Sequence, residues 1–321
     1  MDRRLLVNIV QLTGTQRAAI TAAAAKRGFE AVFCGDAPSA RAAAGEAEII
    51  FSLDAGLIGA APRLKWFCTT YAGVEQYIRP ALLDREGVTL TCSSGAYGVT
   101  ISEHIVMVTL HMMRRMDDYQ ALVQNRGWRR DLPVRSIRDS RVLLLGAGDI
   151  GRETAKRLRA FGPASIIGVS RSGAAQPGLF DAVHPIDALD GLLPDADLLV
   201  MSLPGTPLTE NLLDERRLGL LNGNAFIVNV GRGSAIDEAA LIKLMRAGRF
   251  AGAALDVFRE EPIPPNSALW DCPRLLITPH VAGNMTLPYT VQRIVELFLE
   301  NFERYCDGKP LKRVVTAEKG Y

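Results

Sequence analysis

Short apolar runs alternate with helix-patterned stretches along this chain, in two separate series, and that alternation leaves few folds open. Strands separated by helices predict a parallel sheet wound with crossover helices. The first series has strand candidates at Leu5 to Val10, Ala31 to Phe33, Ile49 to Phe51, Lys65 to Thr69 and Val88 to Thr91, with an alanine-rich helix over Gln16 to Lys26. The second runs through Arg141 to Leu145, Ile166 to Ser170, Leu198 to Leu203, Ala225 to Val230, Gly252 to Asp256 and Leu275 to Thr278. Six strands in this second series suit a dinucleotide-binding sheet. At 321 residues the chain exceeds what one hydrophobic core usually holds, so two domains are expected.

Between the series, Ile101 to Met116 places Ile101, Ile105, Val108 and Met112 on one stripe of a helix. Beyond it, Asp117 to Ser140 is polar and Arg-rich and carries Trp128, which reads equally as a solvated connector or as an arm that contacts another subunit. The last helix, from about Pro288 to Tyr305, repeats apolar residues at Val291, Ile294, Val295, Phe298 and Phe302. It follows the sixth strand of the second series, and packing back on the first domain would make the second an insertion. The expected division is a discontinuous first domain, 1–98 with 287–321, around an inserted second domain, 99–286.

Composition narrows the functional classes. Apolar residues make up 48% and charged residues 22%, too apolar for a disordered chain. A net charge of +2 gives no long-range field for holding nucleic acid or an anionic membrane, so the expected partner is a small molecule. Five cysteines without a Cys-x-x-Cys pair point away from a zinc site and towards a reducing cytoplasm, so no metal is expected. The apolar stretch after Met1 is too short for a signal peptide, and no run approaches a membrane span.

Gly146-Ala-Gly-Asp-Ile-Gly151 is a G-x-G-x-x-G directly after the strand Val142 to Leu145 and directly before the helical Arg152 to Phe161. In that context Gly146, Gly148 and Gly151 predict a tight turn that lets backbone approach a pyrophosphate seated on a helix N-terminus, with Asp149 and Ile150 beside it. At the end of the next strand, where a carboxylate would bind the ribose 2′-hydroxyl of NAD, stands Gly168-Val-Ser-Arg-Ser-Gly173. Arg171 can pair with a 2′-phosphate, with hydroxyl donors from Ser170 and Ser172, so NADP is expected ahead of NAD. The competing reading makes Arg171 a surface residue stacked on the adenine of either cofactor.

Three segments then fall at successive strand ends: Asn229-Val-Gly-Arg-Gly-Ser234, Leu255-Asp-Val-Phe-Arg-Glu-Glu-Pro262 and Thr278-Pro-His-Val-Ala-Gly283. With Leu203-Pro-Gly-Thr-Pro-Leu-Thr209, Tyr71-Ala-Gly-Val-Glu75 and Ile101-Ser-Glu-His104, they resemble the signature of the D-isomer-specific 2-hydroxyacid dehydrogenases over roughly residues 64 to 283. That resemblance implies a Rossmann cofactor domain inserted into a flavodoxin-like substrate domain, and hydride transfer between a nicotinamide cofactor and a 2-keto or 2-hydroxy acid bound between the domains. It further implies cofactor contacts from Leu203, Pro204, Thr209, Val230 and Gly231, with Asp256 at the nicotinamide end. Backbone N–H groups of Ala72, Gly73 and Val74 are implied for the substrate carboxylate, and a homodimer touching through residues 101 to 140.

The chemistry asks for the same residues. Reducing a 2-keto acid requires a cation for the carboxylate and carbonyl, and an acid for the developing alkoxide. Arg232 suits the first role, with Gly231 and Gly233 expected to let the backbone come close. His280 suits the second, oriented by Glu261, whose charge favours the imidazolium; Glu260 is the rival carboxylate. Tyr97 departs from the small or Pro-containing sequence usual near the interdomain crossing, and reads as a pocket or hinge residue. Two other functions stay open at this point: a dinucleotide-sensing, corepressor-like binding protein, and a formate dehydrogenase-like enzyme, although Glu261 favours the hydroxyacid branch.

Overall fold

The computed structural model describes residues 3–77, 85, 87–174 and 176–316, and the chain divides into two compact units, Met1–Tyr97 with Met285–Tyr321, and Gly98–Asn284. In the first unit, β1 (Arg3–Asn8), β2 (Phe29–Phe33), β3 (Ala47–Ser52), β4 (Trp66–Cys68) and β5 (Thr89–Thr91) form a parallel sheet in the order β2-β1-β3-β4-β5. This is the flavodoxin-like doubly wound order. Leu5, Leu6 and Val7 of β1 lie beside Ile49, Ile50 and Phe51 of β3, all buried, because helices cover both faces of a parallel sheet.

A capping box starts the helix Gly14–Lys26: Thr13 Oγ1 accepts from the Gln16 N–H, and Gln16 Oε1 accepts from the Thr13 N–H. The last helix, Pro288–Cys306, buries the whole expected stripe of Val291, Ile294, Val295, Phe298 and Phe302 in this unit. Phe298 stacks on Phe51 at 4.1 Å and on Trp66 at 5.3 Å, so truncating it to Ala removes about 3–5 kcal/mol of packing.

In the second unit, β6 (Arg141–Leu145), β7 (Ser165–Ser170), β8 (Ala182–Pro185), β9 (Leu198–Met201), β10 (Phe226–Asn229), β11 (Gly252–Leu255) and β12 (Leu275–Ile277) are all parallel. Their order, β12-β11-β10-β9-β6-β7-β8, is the dinucleotide-binding order with one strand added at an edge. The apolar pattern predicted six strands here, and β8 is the seventh. It is an edge strand paired only with β7, half-exposed and ending in Pro185, so it shows no apolar run. Strand β9 also stops at Met201, which leaves Leu203 in the loop beyond it.

The helix Gly98–Met113 begins three residues before Ile101 and buries Ile101, Ile105, Val108 and Met113 against the neighbouring helix Asp149–Arg159 and the sheet. After a turn at Arg115 (φ 55°), the helix Met116–Gln124 buries none of its residues, and Trp128 beyond it is 91% exposed. Among the described residues no helix is long and apolar enough to cross a membrane.

Candidate active site

The three glycines after β6 have three different surroundings. Gly146 sits at φ 109°, and a Cβ there would lie 2.7 Å from Ser202 Oγ. A Cβ on Gly151 would lie 1.9 Å from the carbonyl oxygen of Gly146, so that position closes the turn onto the helix. At Gly148, which is exposed, a Cβ would meet nothing within 4 Å. Gly148 is also the N-cap of the helix Asp149–Arg159, and no side chain caps that end. Orphan helix N–H groups beside a surface stripped of Cβ fit an anionic pyrophosphate. Asp149 and Ile150, both half-buried, are the first helical residues beyond it.

At the end of β7, the Ser170 hydroxyl accepts from the Gly173 N–H at 3.0 Å and the Ser172 hydroxyl from the Ala174 N–H at 3.3 Å. Each hydroxyl keeps its own proton for donation. Arg171 and Ser172 are exposed, and no carboxylate stands between Gly168 and Gly173. Gln176 ties this turn to the glycine turn, its Nε2 donating to the Ala147 carbonyl at 2.8 Å. Sequence reasoning gave Gln176 no part.

The loop after β9 is closed by Thr209, which is buried; its hydroxyl donates to Pro204 O at 2.7 Å and accepts from the Thr206 N–H at 2.9 Å. Those bonds make Thr209 a brace for Leu203 and Pro204. Val230 is buried at the end of β10. A Cβ on Gly231 would sit 2.6 Å from Leu203 O, and one on Gly233 would sit 1.9 Å from the Phe258 carbonyl carbon. The two glycines flanking Arg232 therefore admit neighbouring protein backbone, a different reason from the ligand approach expected of them. Arg232 itself is half-buried and extended (φ −143°, ψ 140°), with Nη1 donating to Gly231 O at 2.7 Å. Buried Asn229 holds it in place by accepting from the Gly231 N–H at 3.0 Å and donating to Arg232 O at 2.8 Å.

His280 and Glu261 come together: Nδ1 lies 2.7 Å from Oε2, while Glu261 Oε1 accepts from the Phe258 N–H at 2.8 Å. With a carboxylate on Nδ1, that nitrogen carries the ring proton and Nε2 is left to face a reacting atom. The imidazole is 53% exposed, so Nε2 is accessible. Glu260, the rival carboxylate, makes no hydrogen bond among the described residues.

The turn presenting His280 is unusual, with φ 53° at a non-glycine residue. Asp256, only 2% exposed, holds it: Oδ1 accepts from Thr278 Oγ1 at 2.6 Å and the Val281 N–H at 2.9 Å, and Oδ2 accepts from the Ala282 N–H at 2.9 Å. Since the Thr278 proton goes to Asp256, His104 Nε2, 3.3 Å from the same hydroxyl, must donate to it. Burial pushes the His104 pKa below its ordinary value, against the opposing pull of the Asp256 charge.

In the first unit, the segment Tyr71–Val74 follows β4. The Tyr71 carbonyl accepts from the Ser93 N–H at 2.9 Å and the Val74 carbonyl from the Tyr77 N–H at 2.8 Å. The N–H groups of Ala72, Gly73 and Val74 donate to no partner among the described residues. Successive backbone N–H groups are the donors that anion-binding nests use.

A seven-stranded dinucleotide sheet, an uncapped glycine turn and a histidine–carboxylate pair at its strand ends define a nicotinamide-dependent dehydrogenase. Residues 106–282 match the family described as D-isomer specific 2-hydroxyacid dehydrogenase, NAD binding domain. The glyoxylate/hydroxypyruvate reductase A of Salmonella newport is 32% identical over 264 residues, covering 81% of this chain and 82% of the relative. A crystal structure of a D-isomer specific 2-hydroxyacid dehydrogenase family protein from Aeromonas salmonicida superposes with a TM-score of 0.87 at 32% identity, covering 99% of this chain and all of that one. An NADPH-dependent glyoxylate/hydroxypyruvate reductase from Sinorhizobium meliloti, solved with NADP and sulfate, gives 0.82 at 28% identity over 99% of this chain and 100% of that one. The chain belongs to the D-isomer specific 2-hydroxyacid dehydrogenase family and is an NAD(P)-dependent oxidoreductase acting on CH–OH donors. The corepressor-like and formate dehydrogenase-like readings are not favoured.

Proposed function

We propose that this enzyme reduces small 2-keto acids of the glyoxylate, hydroxypyruvate and pyruvate type to D-2-hydroxy acids, using NADP(H) in preference to NAD(H). The observation that carries the reading is the 2.7 Å contact between His280 and Glu261, which fixes the ring with Nε2 outward. The relatives' names, as glyoxylate/hydroxypyruvate reductases, support the substrate class. Support for NADP comes from the end of β7, where Arg171 stands between two serines and no carboxylate can repel a 2′-phosphate.

In this reading the unit Gly98–Asn284 holds the cofactor and the other unit serves the substrate. Gly146, Gly148, Asp149, Ile150 and Gly151 hold the pyrophosphate; Ser170, Arg171 and Ser172 hold the 2′-phosphate; Leu203, Pro204, Val230 and Gly231 line the remainder. Thr209 and Asp256 act by bracing the loops that do so. When bound, the cofactor supplies the hydride. In the unit Gly98–Asn284, Arg232 is the cation for the carboxylate and carbonyl oxygens of the keto acid; in the other the N–H groups of Ala72, Gly73 and Val74 are the proposed carboxylate donors. His280, entering the step as the imidazolium, donates its Nε2 proton to the developing alkoxide and is left neutral, with Nδ1–H still donating to Glu261.

Initial rates with NADPH and NADH against glyoxylate, hydroxypyruvate, pyruvate, phenylpyruvate and 2-ketobutyrate test the proposal. A higher kcat/KM with NADH removes the NADP assignment, and no turnover with any acid removes the reductase reading. We also propose a cytoplasmic homodimer that uses the surface around Met116, Val123 and Trp128, large apolar side chains exposed on one segment. A monomeric mass in solution light scattering would exclude it.

A further inference from the structure

Tyr97, which ends the first of the two stretches of the first unit, is 4% exposed, and its hydroxyl donates to the Thr70 carbonyl at 2.7 Å. Thr70 stands two residues before the segment of unclaimed N–H groups. Its own hydroxyl is buried and has no partner among the described residues, so the carbonyl bond to Tyr97 is its polar tether. The adjoining carbonyls are held as well. Thr69 O accepts from Ser93 Oγ at 2.8 Å, and Tyr71 O accepts from the Ser93 N–H at 2.9 Å. Tyr77 braces the same segment, its hydroxyl accepting from Thr69 Oγ1 at 2.7 Å and donating to Leu53 O at 2.6 Å.

These bonds have a directional consequence. A peptide unit is rigid and planar, so fixing the carbonyl of one residue turns the N–H of the next the opposite way. Three successive planes, those of Thr69, Thr70 and Tyr71, have their oxygens drawn inward to Ser93, Tyr97 and Ser93. The last of these planes sets the Ala72 N–H facing away from Ser93. Val74 O, bound by the Tyr77 N–H, fixes the exit. Burial pushes the Tyr97 phenol pKa well above its usual value, with further upward pushes from Tyr71 and Tyr77, so the tether stays protonated and donating.

We propose that Tyr97 is a positioning residue for the substrate: by holding the Thr70 carbonyl it turns the Tyr71 N–H onto Thr69 Oγ1 at 3.2 Å and so anchors the backbone from which the Ala72, Gly73 and Val74 N–H groups project, and with it the affinity for the 2-keto acid. This rests on the reading of that segment as the carboxylate cradle. Tyr97 touches neither substrate nor cofactor in this role, and its signature is a split between KM and kcat.

The test is steady-state kinetics of Tyr97→Phe, with Ser93→Ala as a second variant that removes the neighbouring side-chain bond. In Tyr97→Phe the KM for glyoxylate or hydroxypyruvate should rise by about five- to tenfold, the loss expected from one hydrogen bond. The kcat and the KM for NADPH should stay within about twofold of wild type, while the thermal midpoint should fall by a few degrees, because the buried Thr70 carbonyl loses its donor. Ser93→Ala should move KM in the same direction. An unchanged KM in a Tyr97→Phe enzyme whose wild type reduces 2-keto acids overturns the Tyr97 assignment alone. Losses in kcat and cofactor KM that match the change in substrate KM also overturn it, by showing a general structural role. A wild-type enzyme that reduces no 2-keto acid takes down the functional reading and this inference together.

Discussion

Gly148→Ala separates a ligand-facing glycine from a fold-making one. The added Cβ meets nothing within 4 Å, and φ is −78°, which an alanine adopts freely. Two small effects on stability oppose each other. Restricting the unfolded chain favours Ala by about 0.4–1 kcal/mol. Losing Gly at an N-cap position costs about the same or somewhat more. The net change in folding free energy should therefore stay within about 1 kcal/mol. Cofactor binding has no such cancellation under the proposed function, which seats the pyrophosphate on this helix N-terminus and so puts the methyl group between the two. Lengthening or losing one charge-assisted hydrogen bond costs about 1.5–3 kcal/mol, or roughly 10- to 100-fold in Kd. Urea unfolding and a fluorescence titration with NADPH measure the two quantities on one preparation. Gly151→Ala is the control: its Cβ would lie 1.9 Å from Gly146 O, and it should lose about 1–3 kcal/mol of stability or more. The reasoning is refuted if Gly148→Ala binds NADPH like wild type, or if it unfolds as easily as Gly151→Ala.

Three further substitutions address the histidines and the carboxylate partner of one of them. Replacing His280 by Ala, or Glu261 by Gln, should lower kcat for keto-acid reduction by about 10²–10⁴-fold and leave the NADPH Kd nearly unchanged; an equal loss in both would assign the pair to cofactor binding. His104 should make stability fall in acid. Its pKa is lowered by burial, so its contribution is fully present above the ordinary value of 6.5 and is lost as pH falls below that value towards the folded-state pKa. His104→Gln should flatten the slope of unfolding free energy against pH below 6.5, and identical slopes in the two proteins would exonerate the residue.

Most of the fold was legible because most strands are buried on both faces. Arg141–Leu145 and Phe226–Asn229 are nearly continuous apolar runs for that reason, and the helix Pro288–Cys306 announces its buried face at helical spacing. Ala182–Pro185 escaped because an edge strand with half-exposed side chains has no hydrophobic demand to write into the sequence. The start of Gly98–Met113 was read three residues late because Gly98 and Thr100 look like loop residues. What admits a glycine there is the close approach of Asp149, whose Oδ2 would lie 2.6 Å from a Cβ on Gly98.

The site was legible in residue types and illegible in purposes. A glycine in a sequence says that a Cβ is unwelcome, and it does not say what would collide with it. Gly148 and Gly233 look alike on paper, each beside a charged residue in a glycine-rich turn. One faces open space that a phosphate can fill, while the other is pressed against the Phe258 backbone. That contact reaches further, since the Phe258 N–H is what holds Glu261 Oε1, and Glu261 in turn holds His280. Gly233 thus links the Arg232 segment to the His280–Glu261 pair by backbone contact. Asp256 shows the same limit. The resemblance implies a place for it at the nicotinamide end, and its three hydrogen bonds, which no motif announces, lock the left-handed turn at His280. A strained turn of this kind persists only where its surroundings overdetermine it, and a buried carboxylate with three donors is such a surrounding.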